Sequence, residues 1–239
     1  MTVRWENIQS GGKEMRIYIG VPDRPGPHPG VVIAQHAGGV DEQMQDVVHR
    51  LHREGYVVAA PALFHRQAPT GIEPLARIGL LKDVEILEDL AATIVRIKSA
   101  GGTGNLGVAG FCMGGRVAYM AAGAIPELKA AAVFYGGSIM KALGGGPTPG
   151  PTPLERTASI QCPVLGLFGM DDTNPSPADV AKMAEELTRH NKWFEFHSYR
   201  GAGHAFENFT NADRYRARAA RAAWGETLAF FEERLKLTA

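Results

Sequence analysis

Apolar positions along this chain follow two rhythms. In the first they form short unbroken runs: M-R-I-Y-I-G-V at 15–21, V-V-I-A-Q-H at 31–36, Y-V-V-A-A-P at 56–61 and N-L-G-V-A-G at 105–110. A-A-A-V-F-Y-G at 130–136, C-P-V-L-G-L-F-G at 162–169 and K-W-F-E-F-H-S-Y at 192–199 continue the series. Each reads as a strand. In the second rhythm apolar residues recur at helical spacing. Residues 41–53 place Met44, Val47, Val48 and Leu51 on one face, and residues 82–99 repeat Val84, Leu87, Ala91, Ile94 and Val95. R-V-A-Y-M-A-A from 116, a segment at 177–190, and a last helix with Trp224, Leu228, Phe231 and Leu235 on one face complete the set. Strands alternating with helices predict an α/β fold with a mainly parallel sheet covered on both sides. Unbroken apolar strands fit burial on both faces.

Punctuation agrees with this division. P-D-R-P-G-P-H-P-G at 22–30 ends the first run as a turn-rich segment. No internal repeat and no linker of domain scale occurs, so residues 1–239 are expected to form a single domain. The one low-complexity piece, G-G-G-P-T-P-G-P-T-P at 144–153, is a loop without a core of its own, either a lid over a site or a neutral insertion.

Composition removes several classes of function. Twenty-five basic residues balance twenty-five acidic ones, giving no electrostatic reason to expect nucleic acid or an anionic membrane as partner. The N-terminal M-T-V-R-W-E-N-I-Q-S lacks the apolar segment of a signal peptide, and no run approaches a membrane span. Cys112 and Cys162 are too few for a disulfide scaffold, so a reducing cytoplasm is expected; a monomer is the default expectation. Cys162 opens a strand and reads as a buried structural thiol. Arg214, Arg216, Arg218 and Arg221 form a local basic run, of which Arg214, Arg218 and Arg221 are read as a solvated helix face opposite the apolar stripe. His49 and His52 read as solvated, and His28 lies in the Pro-rich turn.

Chemistry concentrates around G-F-C-M-G-G at 110–115. Cys112 sits between a predicted strand and a predicted helix with Gly110 and Gly114 two residues to either side, the cysteine form of a nucleophile elbow. Glycine neighbours relieve the strained turn, and the helix N-terminus favours a thiolate. Further on, F-G-M-D-D at 168–172 follows a strand and G-A-G-H-A-F at 201–206 follows the last one, so an acid and a histidine arrive in the order this fold requires. Asp172 is preferred to Asp171 because it ends the G-x-x-D spacing. Cys112 would attack an acyl carbon, His204 would shuttle the proton, and Asp172 would orient the imidazole. Oxyanion donors are expected from the backbone N–H of Met113 and of Ala37, in Q-H-A-G-G at 35–39.

Taken together, V-V-I-A-Q-H-A-G-G-V, G-Y-V-V-A-A-P-A-L-F-H-R-Q, V-A-G-F-C-M-G-G-R, P-V-L-G-L-F-G-M-D-D and G-A-G-H-A-F resemble the dienelactone hydrolase (carboxymethylenebutenolidase) family over nearly the whole chain. The resemblance implies the α/β-hydrolase fold, a triad of Cys112, Asp172 and His204, a small lactone or ester substrate, and neither cofactor nor metal. Two positions depart from the family pattern. Where well-known members carry a glutamate that helps ionise the thiol, this chain has His36, either a partner for the thiol or a structural part of the H-x-G-G turn. Of two arginines that hold the substrate carboxylate in the family, Arg66 matches the first and Asn208 occupies the second. One arginine is a poorer clamp than two, which shifts the expectation toward a less charged ester. A ligand-binding or thiol-sensing protein that keeps the fold without turnover, and peroxide chemistry at Cys112, are the competing readings.

Overall fold

The computed structural model describes residues 2–67, 71–144 and 149–237. Eight strands form one sheet in the order β1-β2-β4-β3-β5-β6-β7-β8: β1 (Thr2–Ser10), β2 (Lys13–Val21), β3 (His28–Ala34), β4 (Val57–Pro61), β5 (Gly102–Phe111), β6 (Leu128–Phe134), β7 (Val164–Gly169) and β8 (Phe194–Tyr199). β1 and β2 run antiparallel, β2 meets β4 antiparallel, and every pairing from β4 through β8 is parallel. β1 escapes the hydrophobic pattern because it is an edge strand that offers only Val3, Trp5 and Ile8 to the packing.

The unbroken apolar strands divide residue by residue between two cores. Val31, Ile33, Ala109 and Phe111 face helices α1 (Glu42–Arg53) and α6 (Ala217–Phe231), whereas Val32, Ala34, Leu106 and Val108 face α3 (Asp83–Ser99), α4 (Met113–Ala124) and α5 (Pro177–Arg189). Side chains alternate across a strand, so a strand buried on both faces must be apolar throughout. A five-residue helix, α2 (Pro74–Ile78), is started by its proline and has no buried residue. Its lack of an apolar stripe explains why periodicity does not reveal it.

The structure redraws three sequence expectations. In α3 the buried stripe is Ile86, Leu90, Ile94 and Ile97, while Val84 and Val95 are exposed at 63% and 67%. The polar residues Asp83, Asp89 and Thr93 share the inner face, which displaces the stripe read from apolarity alone. His52 is buried, not solvated, and His28 is buried at the start of β3 with Nε2 bonded to the Arg24 carbonyl at 2.8 Å. In α6 the buried face is Ala220, Ala223, Thr227, Phe230 and Phe231, with Trp224 and Leu228 flanking it. Arg214 precedes this helix and does not belong to its solvated face, where Arg218 and Arg221 lie.

Gln35, Cys112, Tyr135, Asp172 and His204 all follow the C-terminal ends of strands, the edge at which open α/β sheets hold their ligands. Among the described residues no helix is long and apolar enough to cross a membrane.

Candidate active site

Cys112 joins β5 to α4 with φ 58° and ψ −117°, a left-handed conformation costly for any residue but glycine. Its neighbours permit the turn. A Cβ on Gly110 would stand 1.8 Å from the Gly114 carbonyl oxygen, and one on Gly114 would stand 2.0 Å from that of Ala34. The Cys112 N–H donates to the Phe134 carbonyl at 3.1 Å, which pins the elbow to β6.

His204 lies on the loop after β8 and bonds through Nδ1 to Asp172 Oδ2 at 2.9 Å. Asp172 is buried, and its other oxygen accepts the Asn174 N–H at 2.8 Å, so both oxygens are held. Asp171 is exposed and contributes its backbone N–H to Ala202. Burial acts to raise the Cys112 thiol, but the hydrogen bond and charge of His204 and the backbone N–H groups of Met113 and Ala37 outweigh it, leaving the thiol below its ordinary value. Burial also acts to lower His204, and its bonds to Asp172 and Cys112 outweigh that, pushing the imidazole up to about 10. The two neighbours thus shift in opposite directions, each favouring the charged form of the other. Cys162, by contrast, is pushed up to about 12 by burial and cannot serve as a nucleophile near neutrality.

The two N–H groups that reach the sulfur are those expected to hold an oxyanion. His36 fixes the loop that carries one of them. Its Nδ1 accepts the Gly38 N–H at 2.8 Å, so the proton resides on Nε2, which faces Asp41 Oδ1 at 3.1 Å. Both ring nitrogens are thus engaged within the turn and its neighbouring Asp41. The same Asp41 oxygen caps α1 by accepting the Met44 N–H at 3.2 Å.

A cavity of about 480 Å³ opens over Cys112, walled by Leu75 and Ile78 of α2, Leu143, His204 and Arg214. A smaller space of about 130 Å³ adjoins it between His36, Ala37, Cys112 and Asn208. Arg66 lines neither. Its guanidinium is bound to buried Asp89 at 2.6 Å, beside Ser10 and Glu88, which corrects its expected place in a substrate clamp. Arg214 borders both spaces and has no acidic partner among the described residues. Sequence reasoning missed it because the arginine run resembles a helix face; its place before the helix, ten residues after the histidine, was the available signal.

Tyr135 was also missed. It has φ 38°, and its ring stands edge-on to the His204 imidazole with centroids 5.3 Å apart. Burial holds its phenol well above the usual range, so it stays neutral. The wall around Leu143 is anchored from beneath: Asp83 receives Arg116 at 2.6 and 2.9 Å and the Leu143 N–H at 2.9 Å. Of the segment 144–153 expected as lid or insertion, residues 145–148 lie outside the described residues, and those from 149 onward do not line the cavity.

A sequence profile described as "Dienelactone hydrolase family" matches residues 15–235. The chain is 34% identical over 247 residues to a Synechocystis protein named "Putative carboxymethylenebutenolidase", covering 99% of this chain and 96% of that one. A Yersinia pestis protein of the same name is 35% identical over 238 residues, covering 95% and 86%. The crystal structure of "Putative Dienelactone Hydrolase" from Klebsiella pneumoniae superposes with a TM-score of 0.87 at 32% identity, covering 96% of this chain and 98% of that one.

Proposed function

The chain belongs to the dienelactone hydrolase family and is a hydrolase of lactones or esters, and from that premise we propose that it works through a thioester on Cys112. The observation that carries this reading is the convergence on one sulfur of the His204 imidazole and the backbone N–H groups of Met113 and Ala37.

The Cys112 thiolate attacks the substrate carbonyl carbon, and the π electrons move to the carbonyl oxygen. Met113 and Ala37 donate to that oxyanion; each such donor contributes about 3–4 kcal/mol of transition-state stabilisation. Collapse of the intermediate breaks the C–O bond, and the His204 imidazolium gives its proton to the departing alkoxide. In a lactone the new hydroxyl stays attached to the acyl chain. His204, now neutral, takes a proton from water as it attacks the thioester, and the acid is released with the thiolate restored. Asp172 holds Nδ1 throughout and supports the positive ring. Arg214, rather than Arg66, provides the cation that would hold a substrate carboxylate.

Hydrolysis of dienelactone beside p-nitrophenyl acetate tests both parts, with acid-quenched enzyme weighed by mass spectrometry. Acetyl adduct on Cys112, its loss with turnover in Cys112→Ala, and a tenfold or greater KM increase for dienelactone alone in Arg214→Leu are expected. An active Cys112→Ala enzyme would refute the thioester, and equal KM effects on both esters would remove Arg214 from carboxylate binding.

A further inference from the structure

We propose that the protein has a second small-molecule site, separate from the catalytic cavity, that takes a planar carboxylate. The cavity measures about 550 Å³, within the usual range for small ligands. The backbone around the oxyanion turn divides the two spaces. His36 and Ala37 face the catalytic side, whereas Gln35, Gly39 and Val40 line the second cavity. Helix α2 is shared in the same way, giving Leu75 and Ile78 to the first space and Arg77 to the second.

Its walls have a repeated chemistry. The Arg16 guanidinium lies over the Trp5 ring at 4.3 Å, and that of Arg77 over the Phe64 ring at 4.2 Å. Stacking occupies the flat faces of these cations and leaves their in-plane N–H groups available. Arg77 gives only Nε to Gln67 at 3.1 Å, and neither guanidinium has an acidic side-chain partner among the described residues. Glu14 also borders the cavity, exposed to solvent as Arg16 is, so two cations face one carboxylate.

Gln35 supplies the independent observation. It is 1% exposed, and its Oε1 accepts the Leu63 N–H at 3.2 Å. Its Nε2 is buried without any hydrogen-bond partner among the described residues. A buried amide donor left unpaired is costly and calls for an acceptor. A flat ligand satisfies all three features: its carboxylate meets the guanidinium edges, its π face meets the stacked layers, and an acceptor oxygen reaches Gln35. This assignment does not depend on the thioester mechanism.

The test uses the full chain labelled with nitrogen-15 and follows the indole N–H of Trp5, assigned through Trp5→Phe. The probe is 4-acetylbenzoate, with acetophenone as the same ring and acceptor without the charge. A saturable shift with Kd at or below about 1 mM is expected. Binding should weaken tenfold or more in Arg16→Leu and Arg77→Leu and for acetophenone, and remain unchanged in Arg214→Leu. Arg16→Lys, which keeps the charge but loses the planar fork, should fall between. Thermal melts and ester hydrolysis matching the native chain verify that the Arg16 and Arg77 variants are folded. Absence of a saturable shift overturns the proposal, as does a shift that survives both arginine substitutions. Loss of the shift in Arg214→Leu also overturns it, because the probe would then occupy the catalytic cavity.

Discussion

At the scale of single residues, the proposed thiolate–imidazolium pair fixes how the rate should depend on pH. The Cys112 thiol titrates below its ordinary value of 9.0, so the nucleophile loses its charge only as pH falls below that point. His204 keeps its proton until about 10. The kcat/KM of p-nitrophenyl acetate hydrolysis should therefore rise along an acid limb centred below 9.0 and fall along an alkaline limb near 10. In Asp172→Asn the support for the charged imidazole weakens, so the alkaline limb should move to lower pH and the rate should drop by about 10²-fold or more. A single limb at or above 9.0 would contradict the pair. The machinery at this scale was legible where backbone constraint leaves a mark in sequence. Glycines flank Cys112, and His204 follows G-A-G after a strand. Tyr135 and Arg214 bear no such mark, because a loop side chain reaches a cavity through a conformation that spacing does not encode.

Among elements, the β5–α4 junction is the least tolerant. Methyl groups at Gly110 or Gly114 would collide with backbone oxygens that cannot swing away, those of Gly114 and Ala34. Gly12, by contrast, has positive φ, at 72°, and faces open space. Gly110→Ala should thus cost about 3 kcal/mol or more, against about 1 kcal/mol for Gly12→Ala, measured by urea unfolding. Similar losses for both would mean that the close packing at the elbow is unimportant. The helices teach the limits of periodicity. The apolar stripe of α1 was legible because Met44, Val47, Val48 and Leu51 make up most of its buried side, although Gln43 and His52 are buried with them. In α3, buried Asp83 and Asp89 face inward because partners await them in other elements: Arg116 for the first, Ser10 and Arg66 for the second. Those partners are distant in sequence, so no local window reveals them.

For the whole molecule, the Asp83–Arg116 pair links α3 to α4 and secures the Leu143 wall of the cavity. Removing one partner leaves a buried charge uncompensated. Asp83→Asn and Arg116→Met should each destabilise by about 3–5 kcal/mol, and the double variant by less than their sum. Additive losses in urea unfolding would show that the two groups do not act as a pair. The parallel sheet was legible from the alternation of strands and helices, but the strand order was not, since pairing depends on contacts between distant segments. That same dispersal governs how the chemistry comes into being. During synthesis Cys112 emerges long before Asp172 and His204, and while those partners are absent it is an ordinary thiol. In the proposed mechanism its reactivity therefore belongs to the completed sheet and not to any fragment of the chain, so a nascent or unravelled molecule exposes a sulfur that has yet to be armed.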